Sequence, residues 1–128
     1  MAALILDASV LIGLLDAADA HHDLAIDEVE AADQVGTLLL TPASAYSEAL
    51  VSFARAGRVA DARTAVAAMG ISVEPLTAAI AELAAELRAS HERLRLPDAI
   101  VLATALNLSA RLLTYDDQLS RIAARVSG

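Results

Sequence analysis

Asp7, Glu48, Asp98, Asp116 and Asp117 each lie at or inside an apolar stretch of this 128-residue chain. A carboxylate in such a setting is costly unless it protonates, pairs or meets a cation. Asp7 ends the run "LILD" and has no local cation, because the chain contains no Lys and its first Arg is Arg55. It either caps a helix starting near Ser9 or belongs to a site assembled from distant segments. If several of these acids share one place, two charges 5 Å apart at an effective dielectric near 20 repel by ~3 kcal/mol. A hard divalent cation, Mg²⁺ or Mn²⁺, resolves that repulsion. Such ions take oxygen ligands, keep several waters and leave room for a substrate phosphate. They also favour in-line displacement at a phosphodiester. Each acid has a plainer reading too: Asp98 as a first-turn partner of a helix dipole, Glu48 as a helix-surface charge, and one of Asp116 and Asp117 as the cap of a short helix over 117–123. Their placement along the chain decides between the two.

Three short apolar runs read as buried strands: "ALIL" at 3–6, "TLLL" at 37–40 and "RLLT" at 111–114. "ISVEP" at 71–75 is a weaker fourth. Continuous rather than alternating apolar runs predict parallel strands covered on both faces. Helical segments fall between them at 9–17 with Ser9 as N-cap, at 22–33, at 41–57 with Thr41 as N-cap and Pro42 at the first helical position, at 58–69, at 77–90 and at 97–108. The last is apolar all round and should be central. Strands alternating with helices predict an α/β fold, a three-layer α/β/α sandwich. Ligands of such sheets bind beyond the carboxyl ends of the strands. Asp7 and Asp116 belong to that edge by construction. Asp98 reaches it if its helix runs antiparallel to the strands. Glu48 lies ~9 Å along its helix axis and needs a tilted helix to arrive there.

The length fits one domain over residues 1–128. A hydrophobic fraction of 57% is inflated by Ala, and Phe53, Tyr46 and Tyr115 are the only aromatics. An aromatic platform for stacking bases is therefore disfavoured. Asp7 and Asp16 break the opening run well short of a ~20-residue membrane span, and no basic segment precedes it as in a signal peptide. With no Cys, disulfide and thiolate chemistry are excluded and a cytoplasmic protein is the default. The net charge of −8 opposes indiscriminate nucleic-acid binding. Arg nevertheless outnumbers acid over 55–63 and 88–95. His21 and His22 read as helix-start residues and His91 as a helix-end residue. Ala-rich helical faces over 60–68 and 78–85, with Val51, suggest a surface for self-association.

The segments "LILDASVLIGLL", "TPASAYSEAL", "LRLPDAIVLATALNL" and "RLLTYDDQL", in this order and spacing, resemble the PIN-domain family, and within it the VapC-type ribonuclease toxins of bacterial toxin–antitoxin pairs. The resemblance covers almost the whole chain. It implies a PIN-like parallel sheet of strand order 3-2-1-4, with a fifth strand often added, and helices on both faces. It implies Mg²⁺- or Mn²⁺-dependent endonucleolytic cleavage of structured RNA, such as tRNA or ribosomal RNA. The family's catalytic acids match Asp7, Glu48, Asp98 and Asp116, with Asp7, Asp98 and Asp116 as metal ligands. Ser9 and Thr114 match the supporting hydroxyls, and Leu119 stands where the family often has Phe. Arg93, Arg95, Arg55 and Arg58 would carry the RNA phosphate contacts. Expected partners are a small VapB-type antitoxin, whose tail can place an Arg in the acidic pocket, and a second copy of the chain in a homodimer. The tail "RIAARVSG" has no clear apolar run, so the sequence lends the fifth strand no support.

Other classes fit less well. A phosphoacceptor regulator needs a Lys after its last strand, and the chain has none. A haloacid-dehalogenase-type phosphatase needs Asp-x-Asp after the first strand, where this chain has Asp7, Ala8 and Ser9. A non-catalytic PIN-like module, its acids surviving only as a socket for a partner's Arg, remains as the alternative.

Overall fold

A computed structural model describes residues 2–127. The elements run β1 (Ala3–Leu6), α1 (Ala8–Leu15), α2 (His22–Gln34), β2 (Leu38–Pro42), α3 (Ala43–Arg55), α4 (Val59–Ala68), β3 (Ile71–Glu74), α5 (Ala78–Ser90), α6 (Leu96–Asn107), β4 (Arg111–Leu113) and α7 (Asp117–Ser127). The strands form one parallel sheet of order β3-β2-β1-β4. β1 is central, pairing Ile5 with Leu40 of β2 and with Leu112 of β4.

The sheet is covered on both faces, which explains why its strands read as unbroken apolar runs. Successive side chains of a strand point to opposite faces. Ile5 and Leu40 pack with Ile80, Leu87, Leu102, Leu119 and Ile122 from α5, α6 and α7. Leu4, Leu6, Leu39 and Ile71 pack with Val10, Leu14, Val29 and Val66 from α1, α2 and α4. α6 is buried over Ala99 and Val101–Ala105, as a helix apolar all round requires. α1 and α2 approach closely at Gly13, where an added Cβ would lie 3.3 Å from the Ala25 Cβ. The same contact is tied by Nδ1 of His22, which donates to the Gly13 carbonyl at 2.7 Å. Gly57 ends the α3 region with φ at +69°, a conformation that glycine adopts without a Cβ penalty.

Three expectations from the sequence need correction. β2 reaches Pro42, so Thr41 is not the N-cap of α3. It is fully buried in the strand, and its hydroxyl donates to the Leu6 carbonyl at 2.8 Å. Pro42, not Thr41, stands at the cap position, without a side-chain bond. Ser9 is not the cap of α1, a position taken by Asp7. Finally, the tail is helix: α7 runs on to Ser127 rather than stopping at 123, and the described residues contain no fifth strand. Its stripe of Leu119, Ile122 and Val126 packs into the core beside α6. No described helix is long and apolar enough to cross a membrane.

Candidate active site at the carboxyl edge of the sheet

Asp7 follows β1 directly and is only 5% exposed. Its backbone continues the sheet, with its N–H donating to the Leu113 carbonyl at 3.4 Å. Its carboxylate is held by three donors. Oδ1 accepts from the Ser9 hydroxyl at 2.6 Å and from the Val10 N–H at 3.1 Å. Oδ2 accepts from the Thr114 hydroxyl at 2.5 Å. Asp7 is thus the N-cap of α1, and its second oxygen is tied to Thr114 from a distant segment at the carboxyl edge.

The second acid is joined to the first through those hydroxyls. Thr114, one residue past β4, accepts the Asp116 N–H on the oxygen that donates to Asp7, at 3.1 Å. Ser9 Oγ accepts the Tyr115 N–H at 3.0 Å. Asp116 then caps α7, its Oδ1 accepting from the Leu119 N–H at 3.0 Å. The ends of β1 and β4 are therefore locked together by one network containing Asp7, Ser9, Thr114 and Asp116. Asp117, by contrast, is exposed in the first turn of α7.

Asp98 arrives from the opposite direction. Pro97 at the start of α6 fits the first-turn preference for proline, and Asp98 follows it, half-buried at this edge. Burial raises its proton affinity above the ordinary value of 3.8. The Arg95 guanidinium opposes that rise, and the charges of Asp116 and Asp7 add to it. Asp98 is thus within electrostatic reach of both other acids. Arg95 Nε donates to Asp98 Oδ2 at 3.3 Å. This contact was absent from the sequence reading, which assigned Arg95 to RNA phosphate; the i,i+3 spacing of Arg95 and Asp98 was the available signal.

Glu48 is not brought into this group. It is exposed on α3 and, among the described residues, its side chain makes no hydrogen bond or ion pair. Arg55 and Arg58 lie at the far end of α3 and just beyond it, where Arg58 pairs with Asp61 at 3.0 Å. Arg93 is exposed in the connection between α5 and α6. Ser44, in the first turn of α3 at the end of β2, has the one buried side-chain oxygen among the described residues that lacks a partner. Sequence reasoning also missed a stacked pair beside Asp116. The rings of His21 and Tyr115 lie 4.5 Å apart at 15°. The Tyr115 hydroxyl donates to Glu28 at 2.7 Å, and burial followed by that contact pushes its proton affinity up. With Ser9, Ile12, Asp19 and Asp116, this pair lines a recess of about 320 Å³.

The donors at the edge are all hard oxygens, the class Mg²⁺ and Mn²⁺ prefer. Among the described residues, no three His, Asp or Glu side chains converge tightly enough to make a complete metal cage. Mg²⁺ does not require one: it is usually held by one or two carboxylates, with water and substrate phosphate filling the other positions. The unpartnered Ser44 oxygen at the same edge is suited to a water or ligand donor. The residues present therefore fit a hydrated hard cation.

The model of the PIN domain matches residues 4–125. Three solved structures resemble the chain over most of its length. VapC20 of Mycobacterium tuberculosis, a sarcin–ricin loop cleaving toxin, is 22% identical with a TM-score of 0.71, covering 92% of this chain and 93% of that one. A toxin–antitoxin complex from Klebsiella pneumoniae is 25% identical with a TM-score of 0.73, covering 88% and 86%. VapBC2 from Rickettsia felis, bound to a DNA fragment from its promoter, is 13% identical with a TM-score of 0.75, covering 94% and 92%. No curated protein matches by sequence.

Proposed function

The chain belongs to the PIN-domain family, and on that footing we propose that it is a single-domain, Mg²⁺- or Mn²⁺-dependent endoribonuclease toxin of the cytoplasm, cutting structured RNA and neutralised by a small VapB-type antitoxin. One observation carries the reading. Asp7 and Asp116, from the ends of β1 and β4, share one hydrogen-bond network through Ser9 and Thr114 at the carboxyl edge of a parallel sheet, and Asp98 at the start of α6 feels the charge of both. A cap or a dipole partner requires no such meeting.

Asp7, Asp98 and Asp116 would hold the ion. Bound there, it would lower the pKa of water and offset the charge of the phosphodiester transition state. Ser9 and Thr114 fix both oxygens of Asp7, so its carboxylate meets substrate in one orientation. Arg95 turns Asp98 and moderates its repulsion from the other acids. Glu48 stands exposed on the adjoining helix α3 as the fourth acid of the proposed set. The resemblance to toxin–antitoxin complexes supports the antitoxin partner.

The test is cleavage of total tRNA with Mn²⁺, with and without EDTA. Asp7→Asn should reduce the rate by roughly 100-fold or more, because a lost ligand disturbs both ion and water. It should also lose most of the thermal stabilisation that Mn²⁺ gives the parent by mass action. A fully active Asp7→Asn protein with an intact metal response would end the assignment. The second reading, a non-catalytic module holding an antitoxin-like partner, is favoured by the Arg95–Asp98 pair, since that edge already accepts a guanidinium. Metal-dependent cleavage by the parent, abolished in Asp7→Asn, decides against it.

A further inference from the structure

The chain carries nine Arg and no Lys against 17 acids, so where its cations lie unpaired is informative. Arg95 and Arg58 are engaged with Asp98 and Asp61. Three others, Arg93, Arg121 and Arg125, surround one groove of about 420 Å³ between the α5–α6 connection and α7. Among the described residues they form no ion pair. His91, Ser90 and Gln118 add polar groups, Ile122 an apolar one, and Glu92 is the only acid. Gln118, Arg121 and Arg125 are spaced i, i+3, i+7 and so share one face of α7.

We propose that this groove is a phosphate-binding track for the strand of RNA that leaves the carboxylate edge. The identity of the ligand rests on the nuclease reading. The placement supports it. Asp116 caps α7, so the groove begins at Gln118, within the first turn beyond the acid, and leads away along the helix. An endonuclease must hold strand on both sides of the cut, and the flanking phosphates are repelled by the acids unless cations take over. From Gln118 to Arg125 the helix spans ~10 Å, far enough for Arg121 and Arg125 to meet separate phosphates of one strand. Planar guanidinium groups suit phosphate oxygens. The groove also lies on the sheet face opposite α2, which with its flanks carries Asp16, Asp19, Asp23, Asp27, Glu28, Glu30 and Asp33 and no cation. That asymmetry steers a polyanion toward the α7 side.

The experiment compares two double variants that each remove two positive charges: Arg121→Ala with Arg125→Ala in the groove, and Arg63→Ala with Arg111→Ala away from it. Binding of labelled total tRNA is followed by fluorescence anisotropy in EDTA across a salt series. The groove variant should bind roughly tenfold more weakly, with the salt slope reduced by about 1.5, since each lost phosphate contact removes ~0.7–0.9. The control variant should keep the parental slope. Equal losses in both variants would reduce the effect to net charge and overturn the proposal, as would a parent that does not bind tRNA. Polyglutamate competing as well as tRNA at equal charge would also overturn it, in favour of an acidic peptide. Cleavage of the same tRNA with Mn²⁺ separates the two readings. A parent that binds through the groove and cuts nothing defeats the nuclease assignment and leaves the groove standing. A parent that cuts while the groove variant binds unchanged does the reverse.

Discussion

Asp7 serves two ends with one carboxylate, and its neighbours show how. Oδ1 does the work of an N-cap while Oδ2 ties the end of β4 through Thr114. Asn keeps an acceptor for the cap, whereas Ala keeps nothing. Asp7→Ala should therefore lower stability by about 2 kcal/mol and Asp7→Asn should change it little, by urea denaturation in EDTA. Equal losses in the two variants would mean that the charge, not the hydrogen bonding, stabilises the edge. Asp98 behaves differently, because its folded-state proton affinity is raised above the unfolded value of 3.8. The folded protein then holds a proton that the unfolded chain has already released. Stability falls as pH rises through the folded value, and the full penalty is present above it. Asp98→Asn should raise the melting temperature in EDTA near neutral pH, and the gain should shrink as pH falls toward 3.8. A gain that stays constant across that range would show that Asp98 ionisation carries no such penalty. Asp7 and Asp116 were legible from the sequence because strand ends fix them. The His21–Tyr115 stack and the unpartnered Ser44 were not, since each depends on how separate elements pack; the Arg95–Asp98 pair had its i,i+3 spacing as a signal, but side-chain direction decides whether such a pair forms.

At the scale of elements, the strands and helices were legible wherever apolar runs had clear ends. β1 matches its predicted span, and α5 its helical stripe, with Ile80 and Leu87 buried. At Thr41 the cause is that a polar residue between strand and helix can cap the helix or extend the strand, and the choice depends on the neighbouring strand. Thr41 extends β2 because the Leu6 carbonyl of β1 is there to accept its hydroxyl. α7 was read too short because its tail is rich in Ala and Arg, although Leu119, Ile122 and Val126 keep helical spacing. α7 positions Asp116 through the Leu119 N–H, and its side chain at 119 is fully buried. Leu119→Ala should cost about 2–4 kcal/mol by urea denaturation. RNA cleavage should fall beyond what the unfolded fraction accounts for, since the cap at Asp116 loosens with its helix. Normal specific activity in the folded fraction would show that α7 is not needed to hold Asp116.

At the scale of the whole molecule, the sheet has an edge at β3, and three exposed apolar side chains lie near it. Val73 of β3 and Leu76 just after it are 41% and 49% exposed, and Val51 of α3 is 44% exposed. α3 packs against β3, so these side chains belong to adjoining elements. An exposed strand edge beside apolar side chains invites pairing with another chain unless it is covered. The homodimer expected from the sequence is the simplest cover, because a two-fold interface lets one patch meet its own copy. Val51 was singled out in the sequence for this surface. Val73 and Leu76 were not, because the strand order that makes β3 an edge is a property of the assembled sheet. Sedimentation equilibrium of the isolated chain should show a dimer at micromolar concentration, and Val51→Glu should shift it toward monomer by placing like charges opposite each other at the interface. A parent that stays monomeric at that concentration sinks the dimer, and a dimer indifferent to Val51→Glu moves the interface elsewhere. The groove along α7 is lined by the α5–α6 connection and α7, and none of Val51, Val73 and Leu76 lines it. Val51→Glu should therefore leave the salt slope of tRNA binding per chain unaltered even where it dissociates the dimer.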